Sequence, residues 1–243
     1  MPPSKASIDP PLPMELLEQL AALDTPTICN ALELIAPERR ATGFTTEGLN
    51  CLYPSLAPMV GYARTATMRS IHPLRLAPEE ISKRTMAYYE YIAEGGPRPS
   101  ICIIQDLDGA RAGFGAFWGE VNSHIHLGLG CRGVVTDGSV RDVDGNAEGF
   151  QMLCRMVVPS HAHYHIVSFG EAVSVAGASF DHGDLVHADR HGAVVIPAQH
   201  AAAIPAVAET LSRREAVIIA ASKAPGFDIA SLRRAIGSAR EIH

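Results

Sequence analysis

One stretch of the sequence, residues 118–145, limits what this chain can fold into more than any other. It reads WGEVNSHIHLGLGCRGVVTDGSVRDVDG. Val121, Ile125 and Leu129 recur at the spacing of one helix face, which predicts a helix with an apolar side. Three glycines interrupt that helix, and the β-branched run at 133–136 predicts a short strand. The stretch therefore predicts a helix, a tight turn and a strand in immediate succession.

The lengths of this helix and strand decide where the polar residues at their ends fall. About ten helical residues advance the chain by roughly 15 Å, and about five strand residues return it by roughly 16 Å. If the two run antiparallel, Arg141 and Asp142 come back to the level of Gly119 and Glu120. The free N–H groups of a helix N-terminus, a guanidinium and carboxylates then share one small space, which predicts a site. A simple salt bridge in a turn is the structural alternative for the Arg-Asp pair.

Two further patterns have a functional and a structural interpretation. Residues 128–133 spell G-x-G-x-x-G, but a dinucleotide-binding loop follows a strand and opens a helix. Here the helix comes first, so we interpret these glycines as a helix stop and turn. His161, His163 and His165 alternate, and on a strand they would share one side. Because no acidic residue lies between them, a surface or interface strand is favoured over a metal site.

The composition restricts the class of protein. A chain of 243 residues with 47% hydrophobic residues has enough core for one large domain with extensions. The net charge of −6 argues against general nucleic-acid binding, which needs a basic surface to neutralise phosphates. No apolar run approaches the length of a membrane span, and the Pro-rich start lacks the apolar core of a signal peptide. The five scattered cysteines, without a CxxC pair, predict free thiols and a cytoplasmic location.

The remaining periodicities predict a layered α/β domain with helices beside short, mixed strands. Predicted helices fall at 14–23, 25–34, 78–94, 147–152, 198–222 and 228–241. Predicted strands fall at 61–71, 100–105, 156–159, 172–175, 184–188 and 193–196.

The spacing inside the central stretch resembles the signature of the RraA-like family. An acidic residue at Glu120, twenty residues and then Arg141-Asp142 is that family's catalytic pattern, and Asp137-Gly138 lies between. The resemblance extends over roughly residues 20–215. Its supporting matches are Asp24-Thr25 with Asn30-Ala31-Leu32, Gly61 with Arg64-Thr65-Ala66-Thr67, and Gly183-Asp184 with Asp189, Gly192 and Pro197. Asn30 is a departure, because the family commonly has Asp there.

The resemblance implies a β/β/α swivelling-type sandwich that assembles as a homotrimer or homohexamer. Within that frame the chain divides into a Pro-rich N-terminal arm at 1–13, an RraA-like catalytic domain at 14–222 and a C-terminal helical tail at 223–243. The family includes the metal-dependent 4-hydroxy-4-methyl-2-oxoglutarate / 4-carboxy-4-hydroxy-2-oxoadipate aldolases, which release pyruvate from keto-acid substrates. An aldolase stabilises the pyruvate enolate with a lysine Schiff base or with a divalent metal. The metal is favoured, because none of the three lysines lies in or beside the central stretch: Lys5, Lys83 and Lys223.

The expected roles follow from the resemblance and from enolate chemistry. Asp142 would bind Mg²⁺ or Mn²⁺ directly, since these hard cations prefer oxygen ligands and keep several waters. Glu120 would hold a metal-bound water that accepts and returns protons. Arg141 would pair with the keto-acid oxygens and stabilise the developing enolate.

The substrate carboxylate and the outer shell of the metal have further expected partners. Behind Gly119, the backbone N–H groups of Val121 and Asn122 would bind the carboxylate at the helix N-terminus. The resemblance also implies a C-terminal carboxylate from the neighbouring subunit, for which Glu215 is the best match, acting through water.

Three other activities were weighed. Decarboxylation of oxaloacetate passes through the same enolate and is expected as a side activity or the main one. A non-enzymatic regulator that binds and inhibits a ribonuclease is the alternative function, although such relatives are shorter and lack the C-terminal extension. A demethylmenaquinone methyltransferase is disfavoured, because no adenosylmethionine-binding glycine loop follows a strand.

Overall fold

The computed structural model describes residues 11–242. Its helices are α1 (Met14–Ala21), α2 (Thr25–Ile35), α3 (Pro78–Glu94), α4 (Glu120–Gly128), α5 (Ala198–Ala201), α6 (Ile204–Ser222) and α7 (Ile229–Arg240). Its strands are β1 (Asn50–Cys51), β2 (Met59–Arg69), β3 (Ser100–Asp106), β4 (Ala116–Trp118), β5 (Cys131–Thr136), β6 (Ser139–Val140), β7 (Gln151–Cys154), β8 (Met156–Val157), β9 (His165–Phe169), β10 (Val173–Val175), β11 (Ala178–Phe180), β12 (Leu185–Asp189) and β13 (Gly192–Ile196). Most of the predicted N-terminal arm lies outside the described residues.

An eight-stranded mixed sheet forms the centre of the molecule. Its strand order is β1-β7-β5-β3-β2-β12-β13, and β9 pairs with the second half of β2. The four inner strands β2, β3, β5 and β7 are parallel, and the remaining pairs are antiparallel. Ten of the eleven residues of β2 are buried, as expected for a strand that is covered on both faces.

Layers on both faces of this sheet enclose the core. Alternate residues of β3 face opposite sides: Ile101 and Ile103 pack with the β10–β11 hairpin, and Cys102 and Ile104 pack with helix α3 and the aromatic ring of Trp118. Helices α1, α2 and α6 cover the end of the sheet formed by β2, β12 and β13. The result is a layered α/β domain, as the sequence predicted.

A second, smaller sheet is the element that positions the candidate site. Strands β4, β6 and β8 are parallel neighbours in that order. The carboxyl ends of parallel strands meet at one edge of a sheet. The residues that follow β4 and those that follow β6 therefore lie next to each other at the same edge of this small sheet. The sequence predicts β8 as part of a longer strand, whereas β4 and β6 have no predicted counterpart.

Most predicted elements are confirmed within about two residues, among them the strand predicted at 156–159, which ends at Val157, but two helix predictions are wrong. Residues 147–152 form no helix, because Gly149 has a positive φ of 82° and Gln151 begins β7 beside β5. The long helix predicted at 198–222 is two helices, and Pro205 lies in the first turn of the second, where its missing N–H has no helical partner to lose.

None of the helices within residues 11–242 is long and apolar enough to cross a membrane.

Candidate functional site

The site begins where β4 passes into α4. Gly119 is the N-cap residue of α4, it is buried, and its φ of −171° is ordinary extended backbone. Glycine is needed there for space. A Cβ atom at Gly119 would lie 2.6 Å from Oδ2 of Asp142 and 3.1 Å from Cγ of Arg141. The missing side chain thus lets the second segment of the site approach the helix N-terminus.

The chain returns to this point at Arg141, as the lengths of helix and strand predicted. The N–H of Arg141 donates to the carbonyl oxygen of Trp118 at 2.9 Å. The N–H of Glu120 donates to Oδ2 of Asp142 at 3.3 Å. One carboxylate is therefore held against the positive end of the α4 dipole, which stabilises negative charge.

The guanidinium of Arg141 remains available to a ligand. Its Nη1 lies 3.5 Å from the carboxylate oxygens of Asp142, longer than the 2.7–2.9 Å or so of a strong charge-assisted hydrogen bond. The side chains of Arg141 and Asp142 are 34% and 35% exposed. An open, loosely paired arrangement of this kind is a poor structural salt bridge.

Two carboxylates border the same turn. Asp142 has a positive φ of 53°, and the N–H of Gly145 donates to its carbonyl oxygen at 2.9 Å. The carboxylate of Glu120 lies on the other side of Gly145, where a Cβ atom would be 3.1 Å from Oε2. Glu120 and Asp142 are both exposed, so both present oxygen atoms to the solvent above the turn.

This donor set fits a hard divalent cation that keeps most of its waters. Within residues 11–242, no group of three or more His, Cys, Asp or Glu side chains stands close enough to hold a metal ion. A fully protein-coordinated zinc or calcium site is therefore not formed by these residues. Mg²⁺ is commonly bound through one or two carboxylates plus water and substrate oxygens, and Asp142 with Glu120 offers that set.

The backbone and the side chain of Asn122 have different surroundings. Its N–H and that of Val121 belong to the first helical turn, where N–H groups have no intrahelical partner. The Asn122 side chain points into the core: Oδ1 accepts from the Tyr89 hydroxyl at 2.8 Å and Nδ2 donates to Phe117 O at 2.6 Å. The Asn122 side chain therefore fixes the start of α4, and the backbone N–H groups of Val121 and Asn122 remain available on the side of the site.

The buried face of α4 differs from the predicted apolar stripe. Asn122, Ser123 and His126 are the buried residues of this helix, whereas Val121 is 70% exposed. The imidazole of His126 lies against the indole of Trp118, with ring centroids 4.6 Å apart. Since Nδ1 of His126 faces a carbonyl oxygen at 2.7 Å, the ring donates there and accepts from the Tyr88 hydroxyl at Nε2, 2.9 Å away.

Burial makes His126 a pH-dependent element of stability. Loss of hydration lowers its pKa to about 4, against about 6.5 in an unfolded chain. The unfolded state then binds the proton more strongly, so the stability is complete above pH 6.5 and falls as the pH drops toward 4. A difference of this size between the folded and unfolded states corresponds to about 3 kcal/mol.

The wild-type protein loses unfolding free energy as the pH falls from 6.5 to 4, and we expect this loss to be about 3 kcal/mol smaller in His126→Gln. Urea titrations at a series of pH values measure it. His124→Gln, an exposed position on the same helix, is the control and should keep the wild-type slope. Equal slopes for all three proteins would contradict the buried neutral state of His126. His182 and His187, whose pKa values burial also lowers, contribute to the dependence that remains, as do carboxylates with shifted pKa values such as Asp137.

The Asp137-Gly138 pair of the family pattern is part of the support beneath the site. The carboxylate of Asp137 accepts from the N–H of Asp106 at 2.7 Å and links the ends of β3 and β5. Burial raises the pKa of Asp137 to about 6. Oδ2 of Asp106 in turn accepts from the N–H of Gly113 at 2.7 Å. These contacts fix the approach to β4 and β6.

Two predicted groups lie apart from this cluster. Glu215 is exposed on α6, which packs against α2 and α7, and its predicted role concerns a neighbouring subunit. The three histidines do not share a strand: His161 and His163 are exposed in a turn around Ala162, whose φ is +45°, and only His165 belongs to β9. Their predicted common face is therefore wrong, because the turn breaks the two-residue alternation.

Two residues that hold the loop 141–146, here called the site loop, were not predicted from the sequence. The hydroxyl of Tyr53 donates to Val143 O at 2.7 Å, and Nδ2 of Asn146 donates to Arg141 O at 3.1 Å. Tyr53 lies in a turn-rich region 88 positions before Arg141, and no motif connects the two. Its immediate neighbours Leu52 and Pro54 are apolar as well, so nothing in the local sequence distinguishes Tyr53.

The fold and this cluster define a class of mixed α/β proteins with a polar site at the start of a short helix. The model of the RraA-like family, described as Aldolase/RraA, matches residues 25–195. The chain belongs to the RraA-like family. Comparison with curated proteins gives no match.

Solved structures show the same fold at low identity. A protein of Pseudomonas syringae pv. tomato is similar over 94% of this chain and 96% of its own, with a TM-score of 0.69 and 24% identity. RraAS2 of Streptomyces coelicolor, described as an unusual member of the RNase ES inhibitor RraA family, is similar over 85% and 96%, with a TM-score of 0.65 and 24% identity. A structure described as a novel cellulase from gut-associated microbes is similar over 87% and 90%, with a TM-score of 0.68 and 17% identity.

Proposed function

We propose that this chain is a divalent-metal-dependent aldolase that cleaves a 4-hydroxy-2-oxo acid to pyruvate and a second keto acid. The observation that carries the proposal is the convergence of Glu120, Arg141 and Asp142 at the N-terminus of α4. The family description names aldolases as well as RraA proteins, so membership alone does not choose between them. The open carboxylate pair beside a free guanidinium favours the aldolase.

Binding of the substrate follows from charge and direction. The N–H groups of Val121 and Asn122 point out of the first turn of α4 and suit the substrate carboxylate. The guanidinium of Arg141 is planar and can reach the adjacent keto oxygen with one arm of its fork. Because its contact to Asp142 is long at 3.5 Å, turning toward the substrate breaks no strong hydrogen bond.

The cleavage leaves the electron pair of the C3–C4 bond on the pyruvate fragment and transfers one proton from the C4 hydroxyl to C3. A water held by Glu120 takes the proton from the C4 hydroxyl, the C3–C4 bond breaks, and its electrons form the enolate of pyruvate. Arg141 stabilises the charge that develops on the enolate oxygen. The same water returns a proton to C3 and releases pyruvate.

Asp142 would hold Mg²⁺ or Mn²⁺ directly, and Glu120 would hold it through water. When bound, the cation supplies Lewis-acid stabilisation of the enolate charge. The lysines among the described residues agree with this choice, since Lys83 on α3 and Lys223 after α6 are exposed and neither belongs to α4 or to the loop 141–146. Oxaloacetate decarboxylation uses the same enolate, with loss of CO₂ in place of the aldehyde or keto fragment, and is part of the proposal.

We place the site at a boundary between subunits of a homotrimer or homohexamer. Val121, beside the site, is 70% exposed, and Val157 on the outer strand of the small sheet is 52% exposed. Apolar side chains this exposed next to a polar site suit a second subunit that covers them. Glu215 of a neighbouring subunit would complete the outer shell of the cation.

The test is pyruvate release from a panel of 4-hydroxy-2-oxo acids and from oxaloacetate. We expect activity that EDTA removes and that Mg²⁺ or Mn²⁺ restores. Full activity in EDTA, or a pyruvyl-lysine adduct trapped by borohydride, would contradict the metal-dependent mechanism. Light scattering on the same sample should give three or six chains of 25.9 kDa, and a fully active monomer would contradict the subunit-boundary site.

A regulator of ribonuclease activity is the second candidate. The likeness to RraAS2, described within a family of RNase ES inhibitors, favours it, although an identity of 24% shows the fold alone. Direct binding to an RNase E-type enzyme, with inhibition of RNA cleavage, is its test. Inhibition without any pyruvate release from the panel would replace the aldolase proposal.

A further inference from the structure

The loop that presents Asp142 has every one of its first three carbonyl groups occupied. Arg141 O accepts from Nδ2 of Asn146 at 3.1 Å, and Asp142 O accepts from the N–H of Gly145 at 2.9 Å. Val143 O accepts from the hydroxyl of Tyr53 at 2.7 Å. Asn146 Nδ2 also donates to that hydroxyl at 3.1 Å. Tyr53 therefore joins two of these three contacts at a single atom.

The position of the Tyr53 hydroxyl is set by the sheet. The backbone N–H of Tyr53 donates to Oε1 of Gln151 at 3.2 Å, and the backbone carbonyl oxygen of Tyr53 accepts from Nε2 of Gln151 at 2.7 Å. Gln151 is buried at the start of β7, and its Oε1 also accepts from the N–H of Met152 at 2.9 Å. The backbone of Tyr53 is thus held at two points by a side chain of the central sheet.

This support matters because Asp142 is in a conformation that L-residues avoid. A non-glycine residue at φ 53° is uncommon, although Asp adopts it more readily than most, and it persists where the surroundings hold it. The same φ turns the carboxylate toward the N–H of Glu120. If Val143 O and Arg141 O lost their partners, the loop would be free to relax, and the carboxylate would leave the helix N-terminus.

We propose that Tyr53 is a positioning residue for the site: its hydroxyl, together with Asn146, keeps the Asp142 carboxylate turned toward the N-terminus of α4. The consequence for the cation and for turnover rests on the proposed function. The consequence for the loop itself does not, because it concerns hydrogen bonds of the metal-free protein. The closing experiment therefore measures both.

The test compares Tyr53→Phe with Tyr91→Phe. Tyr91 on α3 also hydrogen-bonds through its hydroxyl, to Nδ1 of His182 at 2.8 Å and to Thr65, and both partners lie outside residues 141–146. We expect amide hydrogen exchange of the 141–146 peptide to accelerate roughly tenfold in Tyr53→Phe. Mn²⁺ affinity should fall by a similar factor, and kcat at saturating Mg²⁺ should fall more than KM rises. Tyr91→Phe should change none of these, whatever its thermal stability.

Unchanged exchange of the 141–146 peptide in Tyr53→Phe would overturn the proposal, even if stability fell. Accelerated exchange with wild-type Mn²⁺ affinity would also overturn it, because the carboxylate would then need no support from Tyr53. If Tyr53→Phe fails to fold, Asn146→Ala takes its place, because it removes the hydrogen bonds of Asn146 to the Tyr53 hydroxyl and to Arg141 O. The same two measurements, hydrogen exchange and Mn²⁺ affinity, then decide. A wild-type protein that releases no pyruvate would refute the proposed function, and the exchange comparison would still decide the role of Tyr53.

Discussion

Asp142→Asn is expected to abolish divalent-metal binding and pyruvate release together. The substitution keeps the shape of the side chain and removes the charge that holds the cation. Asparagine also tolerates a positive φ better than most residues, so the backbone at φ 53° is not disturbed. The side chain is 35% exposed, and its loss of charge therefore costs little stability.

Calorimetric titration with Mn²⁺ and a pyruvate-release assay measure the two effects of Asp142→Asn. Asp144→Asn is the matched control, since it removes the same charge from an exposed carboxylate two residues further along the loop. The control should keep metal binding within a few-fold of wild type. If both variants lost Mn²⁺ affinity and pyruvate release to the same extent, only the net charge of the loop would matter, and Asp142 would not be a metal ligand.

Arg141→Lys should lower kcat/KM by roughly two to three powers of ten, the range seen when one preorganised donor to a developing oxyanion is lost. Lysine keeps one positive charge but not the planar fork that grips two oxygens. Metal binding should survive, because the guanidinium lies 3.5 Å from Asp142 and is not itself a ligand. The chain should stay folded, since the hydrogen bond that ties residue 141 to β4 comes from its backbone N–H.

Steady-state kinetics with saturating Mg²⁺ measure the effect of Arg141→Lys, and thermal unfolding checks the fold. Arg155→Lys, an exposed arginine after β7, controls for the exchange of one cation for another. Normal turnover by Arg141→Lys would support the alternative in which Arg141 and Asp142 form an ordinary turn salt bridge.

Local sequence predicted the core of the site because its geometry depends on short-range lengths. A helix, a glycine turn and a strand of known rise are enough to bring Arg141 back to Gly119. Local patterns also predicted α3 and three of the four inner strands, β2, β3 and β5. These features need no knowledge of distant residues.

The failures have a common physical cause, which is dependence on partners far away in the chain. Val121, Ile125 and Leu129 have helical spacing, yet α4 buries Asn122 and His126, because the tyrosine hydroxyls of α3 and a backbone carbonyl of β4 satisfy these polar groups. Residues 147–152 have an ambiguous pattern, and pairing of β7 with β5 makes their end a strand.

The support of the site loop was invisible for the same reason. Tyr53 reaches Val143 only because Gln151 holds its backbone, and neither contact leaves a periodic trace in the sequence. The two-residue strand β6 is likewise too short to give a pattern of its own. Tertiary contacts of this kind had to be seen in the structure.

The most direct measurement of the central claim is a Mn²⁺ titration of the wild-type, Arg141→Lys and Asp142→Asn proteins side by side, each followed by the pyruvate-release assay. The site described above predicts tight binding by the wild type and by Arg141→Lys, turnover only by the wild type, and neither binding nor turnover by Asp142→Asn. Tight Mn²⁺ binding by Asp142→Asn would contradict it, because the cation would then be held by other residues.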